Sequence, residues 1–366
     1  MKYALIGCGR ISPNHIVAAQ KNDLEIVAIC DIVPENMQDK AEKFGLENVR
    51  QYTDYQELLA VEKPELAAIC TESGKHAEVA IDCIKAGCHV IIEKPIALSI
   101  EDADRIVQLS KQYHVKVCAS HQNRFNKSIQ KIREAVEQER FGKMFYGTAH
   151  VRWCRDQEYY AKASWRGTWE QDGGALMNQC IHNIDLLRWM MGGKVEEVIG
   201  MTDQLAHPYI EAEDLGIAIV KFSNGTYGVI EGTTDIYPKN LEETLYLFGE
   251  KGTVKAGGQS VNIIEEWRFS DGWDQPDKVM KEFGENPPNI YGFGHTPLYT
   301  DMIDAIVNDR EPYVNGEEGR NTLELVLAIY KSAAENRGVR LPLDAKCSTL
   351  DFKGRFEQKN DRARQT

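Results

Sequence analysis

The sequence opens with a short apolar run that leads directly into a glycine-rich turn, Tyr3-Ala4-Leu5-Ile6-Gly7-Cys8-Gly9-Arg10-Ile11-Ser12. A helix-like segment follows the turn and continues to Gln20. A strand, a glycine turn and a helix in this order are typical of a dinucleotide-binding fold, because Gly7 permits the tight turn and Gly9 lets a pyrophosphate approach the backbone. The N-terminus of the helix supplies N–H donors that have no partner within the helix. Ser12 stands where this pattern usually has a third glycine, and it is small enough for the close packing required there.

Strand-like and helix-like segments alternate through the first third of the chain. We expect strands at Tyr3–Ile6, Glu25–Cys30, Leu66–Cys70, His89–Ile92 and Lys116–Ala119, with helices between them such as Pro34–Phe44, His76–Ala86 and Ile100–Tyr113. This alternation predicts an α/β fold in which helices cover both faces of a parallel sheet.

The second expected strand ends at Asp31, about 20 residues after the glycine turn, where dinucleotide-binding folds place an acid that binds ribose. A carboxylate at this point accepts hydrogen bonds from both hydroxyl groups of the adenosine ribose and repels a 2′-phosphate. The sequence therefore favours NAD over NADP as the cofactor. The alternative is that Asp31 is an ordinary aspartate in a turn at the end of a strand.

Length and composition restrict the class of protein. A chain of 366 residues is too long for one core and predicts two domains. A formal net charge of −13 argues against nucleic acid and anionic membranes as partners. No segment approaches the roughly 20 apolar residues of a membrane-spanning helix, and no signal peptide is evident, so we expect a cytoplasmic protein. The nine cysteines form no CxxC pair or Cys/His cluster, so we expect buried free thiols and no metal site.

Three later motifs occur in a fixed order. Glu93-Lys94-Pro95 follows the fourth strand, His121-Gln122-Asn123-Arg124-Phe125 follows the fifth, and Gly173-Gly174 precedes a helix-like stretch that contains Asn178, His182 and Asp185. Together with the glycine turn, these motifs resemble the glucose–fructose oxidoreductase/inositol dehydrogenase (Gfo/Idh/MocA) family. The resemblance extends from Lys2 to about Leu343.

The resemblance implies a domain organisation. We expect an NAD-binding Rossmann domain at residues 1–121 and, at residues 122–345, an α+β domain for substrate binding and oligomerisation, built on a large, mainly antiparallel open sheet. Segments with alternating polarity agree with that sheet, namely Gly147–Trp153, Gly216–Phe222, Thr226–Thr233 and Glu243–Leu247. Family members often form tetramers through the sheet, so we expect a homo-tetramer or a dimer. Residues 346–366 are polar and are expected to form a loose tail.

Longer strings resemble one bacterial subgroup, the dehydrogenases of UDP-N-acetyl-2-amino-2-deoxyglucuronate. They are Tyr159-Tyr160, Trp165–Glu170, Asp172–Gln179, Glu211–Asp214, Tyr237–Glu242 and Tyr291–His295. The subgroup implies NAD-dependent oxidation of the C3 hydroxyl of a nucleotide sugar, UDP-N-acetylglucosaminuronate, to a 3-keto sugar. In the subgroup this step leads to diacetamido uronic acids of surface polysaccharide such as lipopolysaccharide, and some members reoxidise NADH with 2-oxoglutarate. The alternatives are an inositol or simple sugar dehydrogenase, and a sensor that binds NAD without turnover.

The expected reaction needs a base for the hydroxyl proton and a group that stabilises the negative charge on oxygen. Lys94 leaves the C-terminal edge of the parallel sheet, where ligands bind, and its ammonium group can stabilise that charge. His182 can exchange a proton near neutral pH, and Asn178, four residues earlier on the same helical face, can orient the hydroxyl. Asp185 either orients the ring of His182 or is a helix-surface acid. The alternatives for Lys94 and His182 are a surface lysine and a core histidine.

The resemblance also assigns ligand contacts. The expected cofactor-binding residues are Gly7, Gly9, Arg10, Ile11, Asp31, Thr71, Ser73, His76, Glu93, Lys94 and Gln122. The expected substrate-binding residues are Lys94, Arg124, Arg155, Tyr160, Arg166, Asn178, His182, Tyr237 and His295. Arginine suits a carboxylate or a diphosphate because its donors form a planar fork. The alternative is that these aromatic and arginine side chains only pack under a loop.

Overall fold

The computed structural model of the chain describes residues 1–287 and 291–357. These residues form two compact units. The first contains Met1–His121 together with Phe293–Asn321, and the second contains Gln122–Gly292 together with the chain from Thr322 onward. The prediction that all of 122–345 belongs to the second domain is therefore wrong for Phe293–Asn321. The reason is a helix in that segment whose polar side chains are buried against the N-terminal residues of the first unit.

The first unit is built on a six-stranded parallel sheet. Its strands are β1 (Lys2–Ile6), β2 (Glu25–Cys30), β3 (Arg50–Tyr52), β4 (Leu66–Ile69), β5 (His89–Ile92) and β6 (Val117–Ala119), in the order β3-β2-β1-β4-β5-β6. Its helices are α1 (Ser12–Lys21), α2 (Pro34–Phe44), α3 (Tyr55–Glu62), α4 (His76–Lys85), α5 (Ile100–Tyr113) and α10 (His295–Val307). This is the parallel α/β arrangement that the sequence predicts. Strand β3 was not predicted, because it is a three-residue edge strand without an apolar pattern.

The second unit is built on an eight-stranded sheet. Its strands are β7 (Met144–Arg152), β8 (Val195–Asp203), β9 (Leu215–Phe222), β10 (Tyr227–Thr233), β11 (Glu242–Gly249), β12 (Gly252–Gly257), β13 (Ile263–Phe269) and β14 (Val339–Arg340). The order is β13-β12-β11-β7-β10-β9-β8-β14, and every neighbouring pair is antiparallel except β7 and β10. Its helices are α6 (Lys127–Glu137), α7 (Gln157–Ala161), α8 (Ile181–Met191), α9 (Pro276–Glu282) and the main part of α11 (Gly316–Glu335). The predicted mainly antiparallel sheet is confirmed.

The two faces of this sheet differ. One face packs against α8 and the turn before it, so closely that a Cβ atom on any of three strand glycines would lie under 3.0 Å from a leucine side chain; they are Gly147, Gly216 and Gly232. On the other face, apolar side chains of β8 and β9 alternate with buried neighbours and are about half exposed or more: Ile199, Met201, Ile217 and Ile219. The helix-covered face holds α8 in a fixed position on the sheet.

The predicted loose tail is wrong for residues 346–357. Ser348 and Asp351 form a capping box at the start of a short 3₁₀ turn, Thr349–Phe352. Phe352 and Phe356 are buried, and their ring centroids lie 5.7 and 6.5 Å from that of Trp169. Two aromatic residues therefore anchor a segment that is otherwise polar. Residues 358–366 lie outside the described part of the chain.

Across residues 1–287 and 291–357, none of the helices has both the length and the apolar character that crossing a bilayer requires.

Candidate functional site

The glycine turn has the geometry that a dinucleotide needs. Gly7 has a φ of 97°, and a Cβ atom there would lie 2.5 Å from the carbonyl group of Cys70, so only glycine fits. The space beside Gly9 is open, since a Cβ atom there would meet nothing within 4 Å. The hydroxyl of Ser12 donates to the carbonyl of Gly9 at 2.7 Å and so fixes the turn at the start of α1. Backbone approach by a pyrophosphate is therefore possible at Gly9.

Asp31 lies beside this turn, at the end of β2. Its carboxylate accepts hydrogen bonds from the backbone N–H groups of Cys8 at 2.7 Å and Val33 at 2.8 Å, and from the Asn36 side chain at 3.2 Å. A carboxylate offers about four acceptor positions, so capacity for a ribose hydroxyl remains. Ile32, the next residue, is 82% exposed and offers an apolar surface for a base. These residues fit the adenosine half of NAD.

The loop after β4 carries the next predicted cofactor residues, Thr71, Ser73 and His76. The ring of His76 is buried, with Nδ1 2.7 Å from the carbonyl oxygen of Pro95 and Nε2 3.1 Å from that of Thr71. Burial lowers the pKa of His76, so the ring is neutral and has one N–H to donate. Both ring nitrogens face backbone carbonyl groups of the protein, and the single N–H of the neutral ring donates to one of them. Contact between His76 and the cofactor stays a prediction.

Lys94 is the half-buried residue in an otherwise buried stretch, 90–98, and the peptide bond between Lys94 and Pro95 is cis. Its backbone N–H donates to Oε2 of Glu93 at 3.3 Å. Oε1 of Glu93 accepts from the hydroxyl of Ser120 at 2.8 Å. The carboxylate of Glu93 is therefore directed into the protein, and contact between Glu93 and the cofactor stays a prediction.

A chain of buried polar groups continues inward from Glu93. Nε2 of His15 lies 2.9 Å and Nε2 of His295 lies 3.6 Å from Oε1 of Glu93. Although burial raises it, the hydrogen bond from His15 and the nearby imidazole of His295 hold the pKa of Glu93 well below its usual range. The hydroxyl of Tyr299 lies 2.8 Å from Nδ1 of His15 and 2.8 Å from the hydroxyl of Tyr3. His295 is 3% exposed within this cluster, and its contact with substrate stays a prediction.

In the second unit, the segment that precedes α8 exposes one functional face. Gly174 has a φ of 95°, and a five-residue π-helical turn, Leu176–Cys180, joins it to α8. From residue 172 to 187 every residue is buried except Asn178, Gln179 and His182. These three side chains share the uncovered side of the helix, as the i, i+3 and i, i+4 spacing requires.

His182 lies next to Gln122. Nε2 of the Gln122 amide is 3.4 Å from Nε2 of His182, which places a lone pair of a neutral imidazole toward the amide N–H. Oε1 of Gln122 is buried and has no hydrogen-bond partner among residues 1–287 and 291–357. A buried carbonyl without a partner is costly, so Gln122 fits a ligand that supplies a donor.

Two arginine side chains meet at Tyr159 on α7. The guanidinium carbons of Arg155 and Arg166 lie 5.0 and 4.3 Å from the centroid of the Tyr159 ring. Arg155 donates from Nε and Nη2 to Oε1 of Gln179 at 3.2 and 2.8 Å, and from Nη1 to Asn240 at 3.1 Å. Arg166 donates from Nη1 to the hydroxyl of Tyr159, whereas its buried Nε has no acceptor in the described part of the chain.

The two arginine side chains have no acidic partner among the residues that the structure describes. Within residues 1–287 and 291–357, no carboxylate lies within 4.0 Å of the Arg155 or Arg166 guanidinium group, in contrast to Arg140 and Arg152, which each pair with two acids. Partly buried positive charges without a counter-charge are suited to bind an anionic ligand.

Of the remaining predicted substrate residues, Arg124 and Tyr160 are buried and Tyr237 is exposed. Arg124 is 1% exposed and gives two hydrogen bonds of 2.6 Å to Asp185, and its contact with substrate stays a prediction. Tyr160 is buried, its hydroxyl is 3.2 Å from that of Thr234, and burial raises its pKa. Tyr237 is 93% exposed, and no contact in the described residues joins it to the arginine pair. Asp185 serves Arg124 and also accepts from Thr322 at 2.7 Å.

The sequence did not single out Tyr159, Gln179 or His207. Gln179 could have been found, because it lies three residues before His182 on the same helical face. Nε2 of His207 is 2.7 Å from the carbonyl oxygen of Arg155, and Nδ1 is 3.1 Å from Asp214 and 3.3 Å from Asp235. Although burial lowers it, hydrogen bonds to the two aspartates raise the pKa of His207 to about 9. The imidazolium therefore fixes the backbone of Arg155.

Comparison with known proteins agrees with both units. The profile of the Gfo/Idh/MocA oxidoreductase family with an NAD-binding Rossmann fold matches residues 1–121, and that of the family's C-terminal α/β domain matches residues 133–341. The WlbA dehydrogenase of Bordetella pertussis, solved with NADH and UDP-GlcNAcA, is 42% identical, with 94% of this chain and 98% of that chain covered and a TM-score of 0.87. WlbA of Chromobacterium violaceum, solved with the same two ligands, is 39% identical, with 94% and 96% covered and a TM-score of 0.85. The myo-inositol 2-dehydrogenase of Thermotoga maritima is 28% identical over 352 residues, 93% of this chain and 98% of that protein.

Proposed function

The chain belongs to the Gfo/Idh/MocA oxidoreductase family, and we propose that it oxidises the C3 hydroxyl of UDP-N-acetylglucosaminuronate to a ketone. It is an NAD-dependent oxidoreductase, as the family profile and the NADH complexes of similar dehydrogenases show. The observation that carries the substrate proposal is a pair of guanidinium groups beside the uncovered face of Asn178 and His182. These groups, on Arg155 and Arg166, have no acidic partner within residues 1–287 and 291–357. Both WlbA structures, whose ligand is this nucleotide sugar, support the same choice.

The cofactor is assigned to the first unit. Gly7, Gly9 and Asp31 would hold the pyrophosphate and the adenosine ribose, and bound NAD supplies the acceptor for a hydride. Lys94, the half-buried side chain at the sheet edge, hydrogen-bonds the reacting hydroxyl in this proposal. Its positive charge stabilises the negative charge that develops on the oxygen.

The proton of the reacting hydroxyl is assigned to His182. The O–H bond breaks and the proton goes to Nε2 of the neutral imidazole, the nitrogen that faces the Gln122 amide. The C–H bond of the carbon that bears this hydroxyl also breaks. Its hydrogen leaves with the bonding electron pair as a hydride, and a carbonyl double bond forms. Asn178 is proposed to orient the hydroxyl; it cannot take the proton, because its side chain is an amide.

The anionic part of the substrate is assigned to the arginine pair. A buried N–H without an acceptor costs about 1–3 kcal/mol, so a carboxylate or phosphate oxygen at Nε of Arg166 would relieve a real penalty. An inositol or a simple sugar carries no such oxygen and would leave both charges unpaired. A sensor without turnover has no need for Lys94 and His182.

The test is absorbance of NADH after the protein is mixed with NAD and one of three substrates, UDP-N-acetylglucosaminuronate, UDP-N-acetylglucosamine or myo-inositol. We expect the uronate to give the highest kcat/KM. If NADH does not accumulate, addition of 2-oxoglutarate with detection of 2-hydroxyglutarate reveals turnover that is masked by reoxidation of bound cofactor. A preference for myo-inositol would replace the proposal with the inositol dehydrogenase alternative, and no turnover of any sugar would favour the sensor.

We also propose that the open face of the second unit's sheet joins copies of the chain into a dimer or tetramer. Ile199, Met201, Ile217 and Ile219 are apolar residues on two neighbouring strands and are exposed by 49 to 78%. A contiguous apolar patch of this kind is typical of a protein interface. In light scattering, Ile219→Lys is expected to reduce the molar mass, whereas the same substitution at exposed Val61 is not. A monomeric wild-type protein would contradict this assembly.

A further inference from the structure

The amide of Gln179 connects the arginine pair to Asn178. Its oxygen accepts two N–H groups of Arg155 at 3.2 and 2.8 Å. Its nitrogen donates to the hydroxyl of Tyr159 at 2.9 Å and to Oδ1 of Asn178 at 3.0 Å. An amide has two acceptor positions and two donors, so every hydrogen-bonding position of Gln179 is used. The amide therefore has one orientation, since the reverse would place its nitrogen against the guanidinium group.

Arg166 reaches the same amide through Tyr159. The Tyr159 hydroxyl accepts from Arg166 and from Gln179, and the Arg166 guanidinium stacks on the Tyr159 ring. Only Nη1 of Arg166 is used in the described part of the chain, which leaves the Nε and Nη2 edge for a planar two-point contact with an oxyanion. A continuous set of hydrogen bonds thus runs from the guanidinium group of Arg166 to Asn178, with Gln179 at its centre.

We propose that Gln179 is a positioning residue that makes hydroxyl alignment depend on anchoring of the substrate's anion at Arg166. This inference rests on the proposed function. Arg166 fixes the anionic end of the substrate, Asn178 orients the hydroxyl, and Gln179 sets the separation of these two groups. Part of the binding energy of the remote anion is thereby used to orient the reacting carbon. Loss of Gln179 is therefore expected to lower kcat more than it raises KM.

The oxyanion is either the uronate carboxylate or the diphosphate, and substrates distinguish the two. UDP-N-acetylglucosamine lacks the carboxylate but keeps the diphosphate, whereas N-acetylglucosaminuronate lacks the diphosphate. Wild-type protein is assayed on both truncated substrates. The one that shows a lower kcat as well as a higher KM lacks the anion that Arg166 anchors, and it is called the fragment below. The same fragment should be insensitive to loss of Gln179, because its hydroxyl is already unaligned.

The experiment compares Gln179→Leu and Gln179→Glu with wild type on the full nucleotide sugar and on the identified fragment. Leucine removes all four hydrogen bonds, and glutamate keeps the acceptor for Arg155 but loses the donors to Tyr159 and Asn178. For both variants we expect kcat on the full substrate to fall about 10- to 100-fold, with KM within about threefold, and kcat on the fragment to stay nearly constant. Gln138→Leu, at the exposed residue directly after α6, is the matched control and should behave as wild type.

Binding of NADH, measured by fluorescence, shows that each variant is folded. An equal loss of kcat on full substrate and fragment, or a change in KM alone, would overturn the role of Gln179 while leaving the proposed function intact. Failure of the wild-type protein to oxidise any nucleotide sugar would overturn the proposed function and this inference together. If Gln179→Leu does not fold, the same comparison of kcat with KM for Gln179→Glu tests the role of Gln179.

Discussion

Glu243 gives the protein a pH-dependent stability that can be measured without substrate. The side chain lies on β11, is 3% exposed, and receives a single hydrogen bond in the described residues, 3.3 Å long, from the amide of Asn123. Burial raises the pKa of Glu243 from 4.5 to about 8. The carboxyl group therefore remains protonated in the folded protein at neutral pH.

The direction in which stability changes with pH follows from the number of protons bound in the folded and unfolded states. Between pH 4.5 and about 8 the folded protein holds a proton on Glu243 that the unfolded chain has released. Stability consequently falls as the pH rises through this range, by about 1.4 kcal/mol per pH unit, and levels off above the folded pKa. Over the whole range the effect approaches roughly 5 kcal/mol. Glu243→Gln keeps the shape of the side chain and removes the proton equilibrium.

The assay is urea unfolding of wild type and Glu243→Gln at intervals from pH 5 to pH 9. We expect the difference in unfolding free energy to shift steadily in favour of the glutamine variant as the pH rises, with other titrating groups cancelling in the difference. The exposed Glu282→Gln on α9 is the control and should give a constant difference. A pH-independent difference for Glu243→Gln would refute the reasoning, because the carboxyl would then have the same pKa in both states.

Three further predictions concern the proposed site. Lys94→Ala should lower kcat about 100-fold or more, while the affinity for NADH, measured by fluorescence, changes little. Asp31→Ala should raise the KM for NAD about 10-fold or more, because hydrogen bonds from ribose to a charged carboxylate are lost; an unchanged ratio of NAD to NADP activity would contradict the role of Asp31. His207 has a raised pKa of about 9, so its contribution to stability is complete below pH 6.5 and is lost as the pH rises through about 9. The difference in melting temperature between wild type and His207→Gln should therefore shrink between pH 6.5 and about 9 and then level off, and a constant difference would argue against a charged His207.

The sequence predicts the features that depend on local pattern. The parallel sheet, the mainly antiparallel sheet and NAD as cofactor are confirmed, because strand periodicity and the Gly7–Ser12 turn are encoded within short segments. The sequence does not reveal which residue faces a ligand and which faces the core. Glu93, His295 and Arg124 occupy positions that suggest ligand contacts, yet each is buried against a partner from a distant part of the chain.

The arginine site also depends on surroundings that the sequence does not show. Arg155 and Arg166 could be chosen from the sequence because a guanidinium group suits an anion. The absence of an acidic partner in the described part of the chain, however, depends on which residues surround the two side chains in the folded protein. Gln179 was overlooked because glutamine carries no charge and takes no part in proton transfer. Its importance comes from four simultaneous hydrogen bonds, which a linear pattern does not show.

The buried cluster around Glu93 has a consequence for protein engineering. His15 comes from the beginning of the chain and Glu93 from the end of β5, whereas His295 and Tyr299 come from a helix almost 300 residues after the start. A fragment cut after His121 would leave an acid and an imidazole in a hole that the missing helix normally fills. Recombination between relatives should therefore exchange Phe293–Asn321 together with the N-terminal segment, because the two segments form one structural unit that is discontinuous in the sequence.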